Sequence, residues 1–399
     1  MAKRQPGKKA SPSHAKPQSN KKQAGTGHGK LTSSTVAADK DGGGGPAVGT
    51  PDQKRILAVF AEAFAAELAS DAFAPALQAI KQALFERDFD AAFGAEANLR
   101  VYAARYSPTR ALCYADALSG VATHLDGLLL LSPRRPPPLD GADDDDDDDG
   151  EGGSSSSSSS SKDSTGGGEL RALAIGGGAA EVAALAAFLR RRPAASGSVV
   201  LLDSGPWGSV VDALAAGLTR PPTLSKYASA EARASNRALV EPSRFKTAFV
   251  RADALALDAA GYGALFPGAA GQEATTTTSS SPPCLVTLLF TLNELFTGGG
   301  IGKTTAFLLN LSASVPSGSL LLVIDSPGSY SEAVVGKESK RYPMSWLLNK
   351  VLSEAEDWDW VKLESHDSLW FRLPTGLSYP IPLENMRYQL HLYRVSKPV

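Results

Sequence analysis

The stretch that decides the fold is RALAIGGGAAE, residues 171–181, in which small apolar residues run directly into three consecutive glycines. The residues that follow, EVAALAAFLRRR, have the composition of a helix. This order predicts a strand, a tight turn and a helix. In α/β proteins such a turn commonly holds a nucleotide-like ligand, because glycine allows close backbone approach and a helix N-terminus attracts negative groups. A flexible loop in a chain with 38 glycines is the alternative.

Short apolar segments after residue 169 alternate with helical stretches. We predict five strands, which are LRALAI (170–175), SVVLL (198–202), TAFVR (247–251), CLVTLLF (284–290) and GSLLLVI (318–324). Strands that are apolar throughout and separated by helices indicate a parallel sheet covered on both faces. The later segments WVKLES, SLWFRL and NMRYQLHLYRV alternate like half-exposed antiparallel strands that close one edge. The pattern predicts an α/β, Rossmann-like class I methyltransferase fold, with a mostly parallel seven-stranded sheet and antiparallel C-terminal strands.

A helical module is predicted before the sheet, because apolar residues recur every fourth position at Ile56, Phe60, Phe64 and Leu68. Within this module, the segment RYSPTRALCYADAL offers Ser107 as a helix N-cap and Pro108 as the first helical residue. Arg105 and Arg110 flank that turn, and we expect them to form surface ion pairs. Contact with nucleic-acid phosphates is the alternative for both arginines.

Composition divides the chain into four parts. Residues 1–51 form a basic tail, and the first 30 carry eight Lys or Arg and no acid, which predicts disorder and either phosphate affinity or a nuclear address. A solvated tail without a specific partner is the alternative. The helical module occupies 52–132, a low-complexity acidic and serine-rich linker occupies 133–168, and the methyltransferase domain occupies 169–399.

Cysteine usage and hydropathy limit the class of protein. Cys113 and Cys284 cannot form a disulfide framework, and no membrane-length apolar run is present. The absence of such a run predicts no membrane partner. The two distant cysteines and five scattered histidines lack metal-ligand spacing, so we also expect no metal. A soluble intracellular protein follows, and the oligomeric state stays open.

Two phosphate-binding interpretations of the glycines fail on spacing. A G-x-G-x-x-G fingerprint that begins at the first glycine would require glycine at 181, where Glu181 would repel a pyrophosphate. The segment TGGGIGKTT at 297–305 resembles a P-loop, but the frame that ends at Lys303 and Thr304 places Thr297 where the first glycine belongs. We therefore expect no nucleotide triphosphate at this second segment.

S-adenosyl-L-methionine fits the first glycine turn better, because it has no phosphate to neutralise. Asp203 ends the second predicted strand and can accept both ribose hydroxyls, Asp253 can accept from the adenine amino group, and Trp207 can stack near the adenosine. Helix caps, turns or sheet cover are the alternatives for these three. Ala174 and Ala180 depart from the usual motif, which has an acid and a glycine there. The predicted cofactor residues are Gly176, Gly177, Gly178, Asp203, Trp207 and Asp253.

The candidate catalytic residues follow the fourth and fifth strands, where a methyl acceptor lies in this fold. In TLNELF, Asn293 can bond a carbonyl of the methyl acceptor and Glu294 can act as a base. In DSPGSYSE, Asp325 and Tyr330 can line the target pocket, although strand-end turns explain these residue types equally well. His391 lies inside an alternating strand and is predicted to be packed.

Five segments carry a resemblance to a known family, and they are RYSPTRALCYADAL, AIGGGAAE, FTLNELF with GKTTAFLL, IDSPGSYSE and SLWFRLPTGLSYPIPLENMRYQLHLYR. The chain resembles the fungal 25S ribosomal-RNA uridine-N3 methyltransferases over most of 52–132 and 169–399. The resemblance implies methyl transfer to N3 of a uridine in large-subunit ribosomal RNA. It also implies large-subunit ribosomal RNA or a pre-ribosome as the partner. The implied location is the nucleus or nucleolus, with the cytoplasm as a further location.

The residues themselves leave the substrate open. A small-molecule methyltransferase is one alternative, and an inactive assembly factor that binds RNA without chemistry is another. For transfer to uridine N3, the protein must place the base in line with the methyl group and help to remove the imide proton. The base must also be flipped or presented single-stranded.

Overall fold

The structure is a computed structural model that describes residues 47–131, 167–266, 281–328, 330–335, 338–354 and 358–397, with the backbone alone over 330–335 and 338–341. The predictions for the basic tail and for the acidic and serine-rich linker fall almost wholly outside these ranges. The described residues belong to one compact unit.

Helices come first in the described chain. They are α1 Pro51–Ala63, α2 Ala65–Leu68, α3 Phe73–Glu86, α4 Phe89–Phe93, α5 Glu96–Gly120 and α6 Ala122–Leu131. Thr50 caps α1, because its hydroxyl accepts from the Gln53 N–H while the Gln53 side chain accepts from the Thr50 N–H. No helix in these ranges is both long and apolar enough to span a membrane.

Strands and helices alternate after residue 169. The strands are β1 Glu169–Ile175, β2 Ser196–Asp203, β3 Phe245–Arg251, β4 Leu285–Leu289, β5 Leu320–Asp325, β6 Tyr330–Val335, β7 Glu338–Pro343, β8 Asp359–Phe371 and β9 Met386–Ser396. The helices between them are α7 Ala179–Arg190, α8 Gly208–Thr219, α9 Ala230–Ala234, α10 Ala259–Leu265, α11 Leu292–Glu294, α12 Gly300–Ser314 and α13 Met344–Ser353. Two 3₁₀ turns, Pro242–Arg244 and Ala254–Ala256, and a π turn, Leu295–Gly299, complete the chain.

Seven strands form one sheet in the order β3-β2-β1-β4-β5-β9-β8. Strands β1 to β5 are parallel to one another, and β9 runs antiparallel to both β5 and β8. The predicted class I methyltransferase fold, with its five parallel strands and antiparallel C-terminal strands, is confirmed. The sequence did not predict the separate hairpin of β6 and β7.

The N-terminal helices share one hydrophobic core with the sheet. The core on one face of the sheet joins residues of α1, α5, α7 and α8 to residues of β1, β5 and β9. At the contact of α1 with α8, a Cβ atom on Gly217 would lie 2.8 Å from Val59, so the absence of a side chain allows the close approach. The other face is covered by α10, α12 and α13.

The predicted helix start at Ser107 and Pro108 is wrong. Helix α5 begins eleven residues earlier and runs through Pro108, which is buried. A proline has no N–H for the carbonyl four residues before it, here that of Ala104. The Tyr379 hydroxyl donates to the Ala104 oxygen at 2.8 Å, so a distant segment satisfies the group that proline leaves unpaired.

The C-terminal edge also differs in detail from the predicted segments. WVKLES and SLWFRL are one continuous strand, β8, and its pairing with β9 shifts register twice. The shifts lie between Lys362 and Glu364 and between His366 and Leu369. Bulges of this kind interrupt the apolar alternation, which is why the sequence pattern reads as two strands.

Candidate active site

A cavity of about 540 Å³ lies at the carboxyl ends of β1 to β4. Side chains of the N-terminal helices form its other wall, among them Phe89, Phe93, Tyr102, Arg110 and Tyr114. Because the strands are parallel, their carboxyl ends meet at one edge, which is where open α/β sheets bind ligands. The helical part of the chain therefore completes a site that the sheet alone would leave open.

The glycine turn joins β1 to α7 at the edge of the cavity. Gly176 has a φ of 66°, and its N–H donates to the Leu202 oxygen at 2.8 Å. A Cβ atom on Gly176 would overlap the Thr291 side chain, and one on Gly178 would lie 2.9 Å from the Trp207 ring. Gly176 and Gly178 line the cavity, whereas Gly177 faces Ala174 instead. The glycines thus let the ends of β1, β2 and β4 pack closely.

Glu181 closes the helix end that a phosphate would need. Its Oε2 accepts from the Gly178 N–H at 2.9 Å, and the side chain is buried. Burial raises the pKa of Glu181 to about 7, and the bond from Gly178 acts in the opposite direction. The N-terminal amide of α7 is therefore engaged within the protein, which agrees with rejecting a dinucleotide.

The cavity brings together three predicted cofactor residues outside the glycine turn. Asp203 Oδ1 accepts from the Gly205 N–H at 2.7 Å, and Asp253 Oδ1 accepts from the Leu255 N–H at 2.9 Å. Both carboxylates thus make the local turns that the sequence also allowed, while they line the cavity. Burial raises the pKa of Asp203 to about 6. Trp207 is buried beside the glycine turn, where it also lines the cavity.

Arg110 lies in the cavity wall, so its predicted surface ion pair is wrong. Its Nη1 donates to the Tyr102 hydroxyl at 2.6 Å, and its Cζ lies 4.9 Å from the centroid of the Phe290 ring. Burial acts to lower the pKa of Arg110, but the surrounding tyrosines and carboxylates, led by Tyr102, outweigh it and raise the pKa. Arg105 does form a surface ion pair, with Glu384. Five residues turn a helix by about 140° beyond a full turn, so one helix sends the two arginines to different surroundings.

The segment after β4 begins with a strained residue. Phe290 has a φ of 60°, a left-handed conformation that costs a non-glycine residue roughly 1–2 kcal/mol. Its N–H donates to the Ile324 oxygen at 2.7 Å, and its ring stacks on Tyr114 with centroids 6.4 Å apart. These contacts hold the turn that brings the following carboxylate, Glu294, to the cavity.

Among the predicted catalytic residues with described side chains, Glu294 alone lines the cavity. Burial raises its pKa to about 7, the charge of Arg110 opposes that rise, and Asp325 and Asp203 add to it. Asp325 is buried behind the wall, where it accepts from the Asn293 N–H at 2.9 Å and from the Ser326 N–H at 2.8 Å. Asn293 itself does not line the cavity. Tyr330 begins β6, and its side chain lies outside the described part of the chain.

The charge of the cavity fits S-adenosylmethionine. Five carboxylates and two guanidiniums line it, and these are Asp90, Glu181, Asp203, Asp253 and Glu294 with Arg110 and Arg251. Such an excess of acid attracts a ligand that carries a sulfonium and an ammonium group and repels a polyphosphate. The four strand ends from β3 to β4 span about 14 Å, enough for an adenosine joined to a methionine. No metal-binding group of His, Cys, Asp and Glu occurs within the described ranges.

The second glycine-rich segment reaches the cavity with Gly298 and Gly299, but its lysine and threonine do not line it. Its first part is the π turn Leu295–Gly299, and its lysine and threonine lie in the first turn of α12. The Thr304 hydroxyl is buried and donates to the Leu295 oxygen at 2.8 Å, whereas Lys303 is exposed. A P-loop uses that hydroxyl to bind Mg²⁺. Here it is already engaged.

Comparison with known proteins identifies the family. The family described as "Putative SAM-dependent methyltransferase" matches residues 60–394. The chain belongs to this family. Its cofactor is therefore S-adenosylmethionine, and its class of reaction is methyl transfer.

A curated relative confirms the resemblance to the uridine-N3 methyltransferases. The 25S rRNA (uridine(2843)-N(3))-methyltransferase of Saccharomyces cerevisiae is 37% identical over 114 residues. That alignment covers 27% of this chain and 30% of the relative, so the chain matches less than a third of the relative's length.

Two solved methyltransferases represent the structural neighbours. A SAM-dependent methyltransferase from Methanosarcina mazei is 11% identical, and the match covers 58% of this chain and 94% of that one with a TM-score of 0.32. A variant of the 16S rRNA (adenine(1408)-N(1))-methyltransferase from Catenulisporales acidiphilia is 16% identical, and the match covers 57% and 88% with a TM-score of 0.30.

The sequence analysis missed the wall that helix α5 contributes. Its signal is a four-residue repeat, with Tyr102, Tyr106, Arg110 and Tyr114 on one helical face. Pro108 interrupts this repeat in the sequence, because a proline after a serine predicts a helix start, so the four residues do not appear as one helical face. Once α5 is continuous, an arginine amid three tyrosines indicates a cation held in an aromatic wall.

Proposed function

We propose that this methyltransferase acts on large-subunit ribosomal RNA and methylates N3 of a uridine. The observation that carries the reaction is Glu294, a half-buried carboxyl in the cavity whose pKa is raised to about 7. No described residue donates a hydrogen bond to its carboxylate, in contrast to Glu181, which accepts from the Gly178 N–H. The choice of uridine and of ribosomal RNA is supported by the segment that is 37% identical to the yeast enzyme.

In this proposal the carboxyl ends of the strands hold the cofactor in order across the sheet. Asp253 accepts from the adenine amino group, Asp203 accepts from the ribose hydroxyls, and the backbone of the glycine turn lies along the methionine part. Arg110 binds the methionine carboxylate, since it is the guanidinium that the helical wall places in the cavity. The cofactor supplies a methyl group on a sulfonium, which is already electrophilic.

Glu294 then acts as the general base for the imide proton of N3. A base works best when its pKa lies near the working pH, and burial brings this carboxyl from an ordinary acidic range to about 7. Asp325 is a positioning residue, because its carboxylate holds the Asn293 N–H and so fixes the turn that carries Glu294. Tyr330 remains a candidate for the target pocket.

The substrate must present N3 to the cavity unpaired. N3 lies on the Watson–Crick edge of uracil, so the enzyme acts on a flipped or single-stranded base. The aromatic wall of Phe89, Phe93 and Tyr102 offers apolar cover around such a base and limits the access of water. A nuclear or nucleolar location, where ribosomal RNA is assembled, follows from the proposed substrate.

The deciding experiment combines the purified protein, labelled S-adenosylmethionine and large-subunit ribosomal RNA, followed by nucleoside chromatography. We expect label in 3-methyluridine. Glu294→Gln should lower turnover by about 10²–10⁴-fold, the usual share of a general base, with little change in cofactor affinity. Glu241→Gln is the control, because Glu241 is an exposed glutamate outside the cavity.

Other outcomes assign other functions. Label in cytidine, adenosine or protein alone would contradict the uridine assignment and leave the methyltransferase class intact. RNA binding without transfer would indicate an assembly factor. Arg110→Met tests the cofactor role separately, and we expect it to weaken cofactor binding by about 10–100-fold. Arg105→Met is the control on the same helix and should change nothing, because Arg105 pairs with Glu384 and does not line the cavity.

A further inference from the structure

The strand pair β8 and β9 carries an exposed tryptophan with two arginines. Trp370 is 54% exposed, and the Cζ atoms of Arg372 and Arg387 lie 5.5 Å and 5.7 Å from its ring centroid. We call these three residues the Trp370 platform. The neighbouring Phe371 faces the other side of the strand pair and is buried, which holds the strand in place while Trp370 stays outside.

The register of the sheet places this platform beside the active site. Asp325, the last residue of β5, pairs with Gln389 of β9, and Arg387 pairs with Trp370 two residues further on. Because β9 is antiparallel to β5, these two residues extend the strand by about 7 Å beyond the carboxyl end of β5. The platform therefore projects from the same edge of the sheet that forms the cavity.

A short chain of contacts connects the platform to Glu294. Arg387 and Gln389 are on one face of β9, and the Gln389 amide donates to the Ser326 oxygen at 2.7 Å. The Ser326 N–H donates to Asp325, which also holds the Asn293 N–H beside Glu294. The platform is thus on the side where the acceptor segment TLNELF lies.

The charge and chemistry of the platform fit a nucleic-acid strand. Neither Arg372 nor Arg387 makes an ion pair with a described residue, and Glu384, close to Arg387 in the chain, is paired with Arg105. An exposed indole offers a face on which any base can stack, and guanidiniums beside it can bind phosphates. Exposed aromatics occur singly on many surfaces, but Trp370 lies at the acceptor edge between two exposed guanidiniums without an ion-pair partner among the described residues. Arg387 Nε donates to the Ser368 hydroxyl at 2.8 Å, which leaves its two terminal nitrogens for a phosphate.

We infer that the Trp370 platform binds a single-stranded RNA segment next to the methylated base, with a base stacked on the Trp370 indole and phosphates bound by Arg372 and Arg387. This inference rests on the proposed function for the identity of the RNA. It extends that function to a second contact outside the cavity, which holds the flanking strand while the target base enters.

The chain offers a matched control on the opposite edge of the sheet. Tyr227 is 83% exposed and lies under Lys226, whose Nζ is 4.9 Å from the ring centroid. It lies in the connection between α8 and β3, which returns the chain to the amino ends of the parallel strands. Tyr227→Ala therefore removes an exposed aromatic next to a cation, but far from the cavity edge.

The test is the fluorescence anisotropy of a labelled oligouridylate of about 12 nucleotides with the full chain at physiological salt. We expect Trp370→Ala to weaken binding by about tenfold, Trp370→Phe to retain most of the affinity, and Tyr227→Ala to match the wild type. Arg387→Ala should lower the slope of log affinity against log salt by about one, as expected when one phosphate contact is lost. Thermal unfolding of each variant shows whether the fold is kept.

If Trp370→Ala and Arg387→Ala both bind the oligouridylate within twofold of the wild-type affinity, the inference is overturned. This holds even if the platform then proves to bind a protein. If Trp370→Ala unfolds, the affinity and the salt dependence of Arg387→Ala still decide. The methylation assay is read separately. If the wild type and Trp370→Ala methylate RNA equally, the proposed function stands and the platform has no part in it. If Trp370→Ala loses oligouridylate binding but the wild type methylates no RNA, the platform is supported and the proposed function is not.

Discussion

Two glycine-rich segments of this chain, AIGGGAAE at 174–181 and TGGGIGKTT at 297–305, look alike in composition and differ in where the fold places them. The first turn follows β1 directly, so it lies at the sheet edge between the ends of β2 and β4. The second is separated from β4 by α11 and passes through a π turn before α12. The first segment therefore forms the turn at a strand end of the cavity, whereas the second meets the cavity only at Gly298 and Gly299, before α12 begins.

The space around the glycines shows the same contrast. A Cβ atom on Gly176 would overlap Thr291, whereas one on Gly302 would have no atom within 4 Å. Gly176 also has a φ of 66°, while Gly302 lies within α12. Gly176 is therefore constrained by its neighbours and Gly302 is not, although the second segment is also constrained before α12, where a Cβ atom on Gly299 would overlap the Leu255 side chain.

The largest expected effect is that of Gly176→Ala. The left-handed backbone and the overlap with Thr291 together should lower the free energy of unfolding by about 3 kcal/mol and abolish measurable cofactor binding. The matched change Gly302→Ala should raise the free energy of unfolding by about 0.5–1 kcal/mol, because alanine suits an open helical position. Urea unfolding and calorimetry measure both. Equal effects at the two positions would remove the distinction between the segments.

The next effect concerns the carboxylate beside the first turn. Asp203→Ala should weaken S-adenosylmethionine binding by about 1–3 kcal/mol, because ligand hydroxyls lose a charged acceptor. Asp258→Ala is the control, since Asp258 also accepts from a backbone N–H, that of Gly261, but lies outside the cavity lining. Calorimetry that shows unchanged affinity for Asp203→Ala would place the ribose elsewhere.

A smaller effect is the response to pH. Burial raises the pKa of Glu181 and Glu294 to about 7, above the ordinary value of about 4.3 in an unfolded chain. Between these values the folded protein without cofactor binds more protons than the unfolded chain. The contribution of both groups to stability is therefore complete at low pH and is lost as the pH rises through 7.

A cationic cofactor reverses this trend, because it favours ionised carboxylates. We expect the affinity for S-adenosylmethionine to rise several-fold from pH 5.5 to pH 8. Over the same interval, ionisation of Glu181 and Glu294 should lower the thermal stability of the cofactor-free protein. Glu181→Gln should flatten both profiles. Parallel rather than opposite trends in the wild type would contradict the cationic-ligand explanation of the cavity charge.

The smallest effect is expected in the second glycine-rich segment. Lys303→Ala should leave cofactor affinity unchanged, because Lys303 is exposed and the Thr304 hydroxyl beside it is bonded to Leu295. We also expect no Mg-dependent ATP binding by the wild type. Detection of such binding in a filter assay, with loss in Lys303→Ala, would show that the second segment does act as a phosphate loop.

The sheet and the first turn were predictable because local patterns specify them. Strands β1 to β5 begin and end within two residues of the predicted bounds. The reason is clearest for β4 and β5, which are buried throughout and read as continuous apolar runs. Asp203 is the last residue of β2 and Glu294 follows β4, and in a parallel sheet the carboxyl ends of the strands share an edge. Both are at the cavity for that reason.

The wall opposite the sheet could not be predicted in the same way. Pro108 reads locally as a helix start, but it lies inside α5 because Tyr379, more than 270 residues away, donates to the carbonyl that proline leaves unpaired. Only then does Arg110 face the cavity while Arg105 faces Glu384. The sequence of α5 by itself does not distinguish the surroundings of Arg105 from those of Arg110.

Local sequence was sufficient for the fold class, the glycine turn and the carboxylates at the strand ends, because short-range periodicity and strand direction dictate them. Tertiary packing alone decided that Asp325 lies behind the wall, that Arg110 lies in it, and that β8 is one strand with Trp370 projecting from its end. These outcomes depend on contacts between distant segments, whose free energies exceed the local preferences of a single proline or a bulged strand. The charge of the cavity follows from that packing, since burial sets the pKa values of its carboxyl groups.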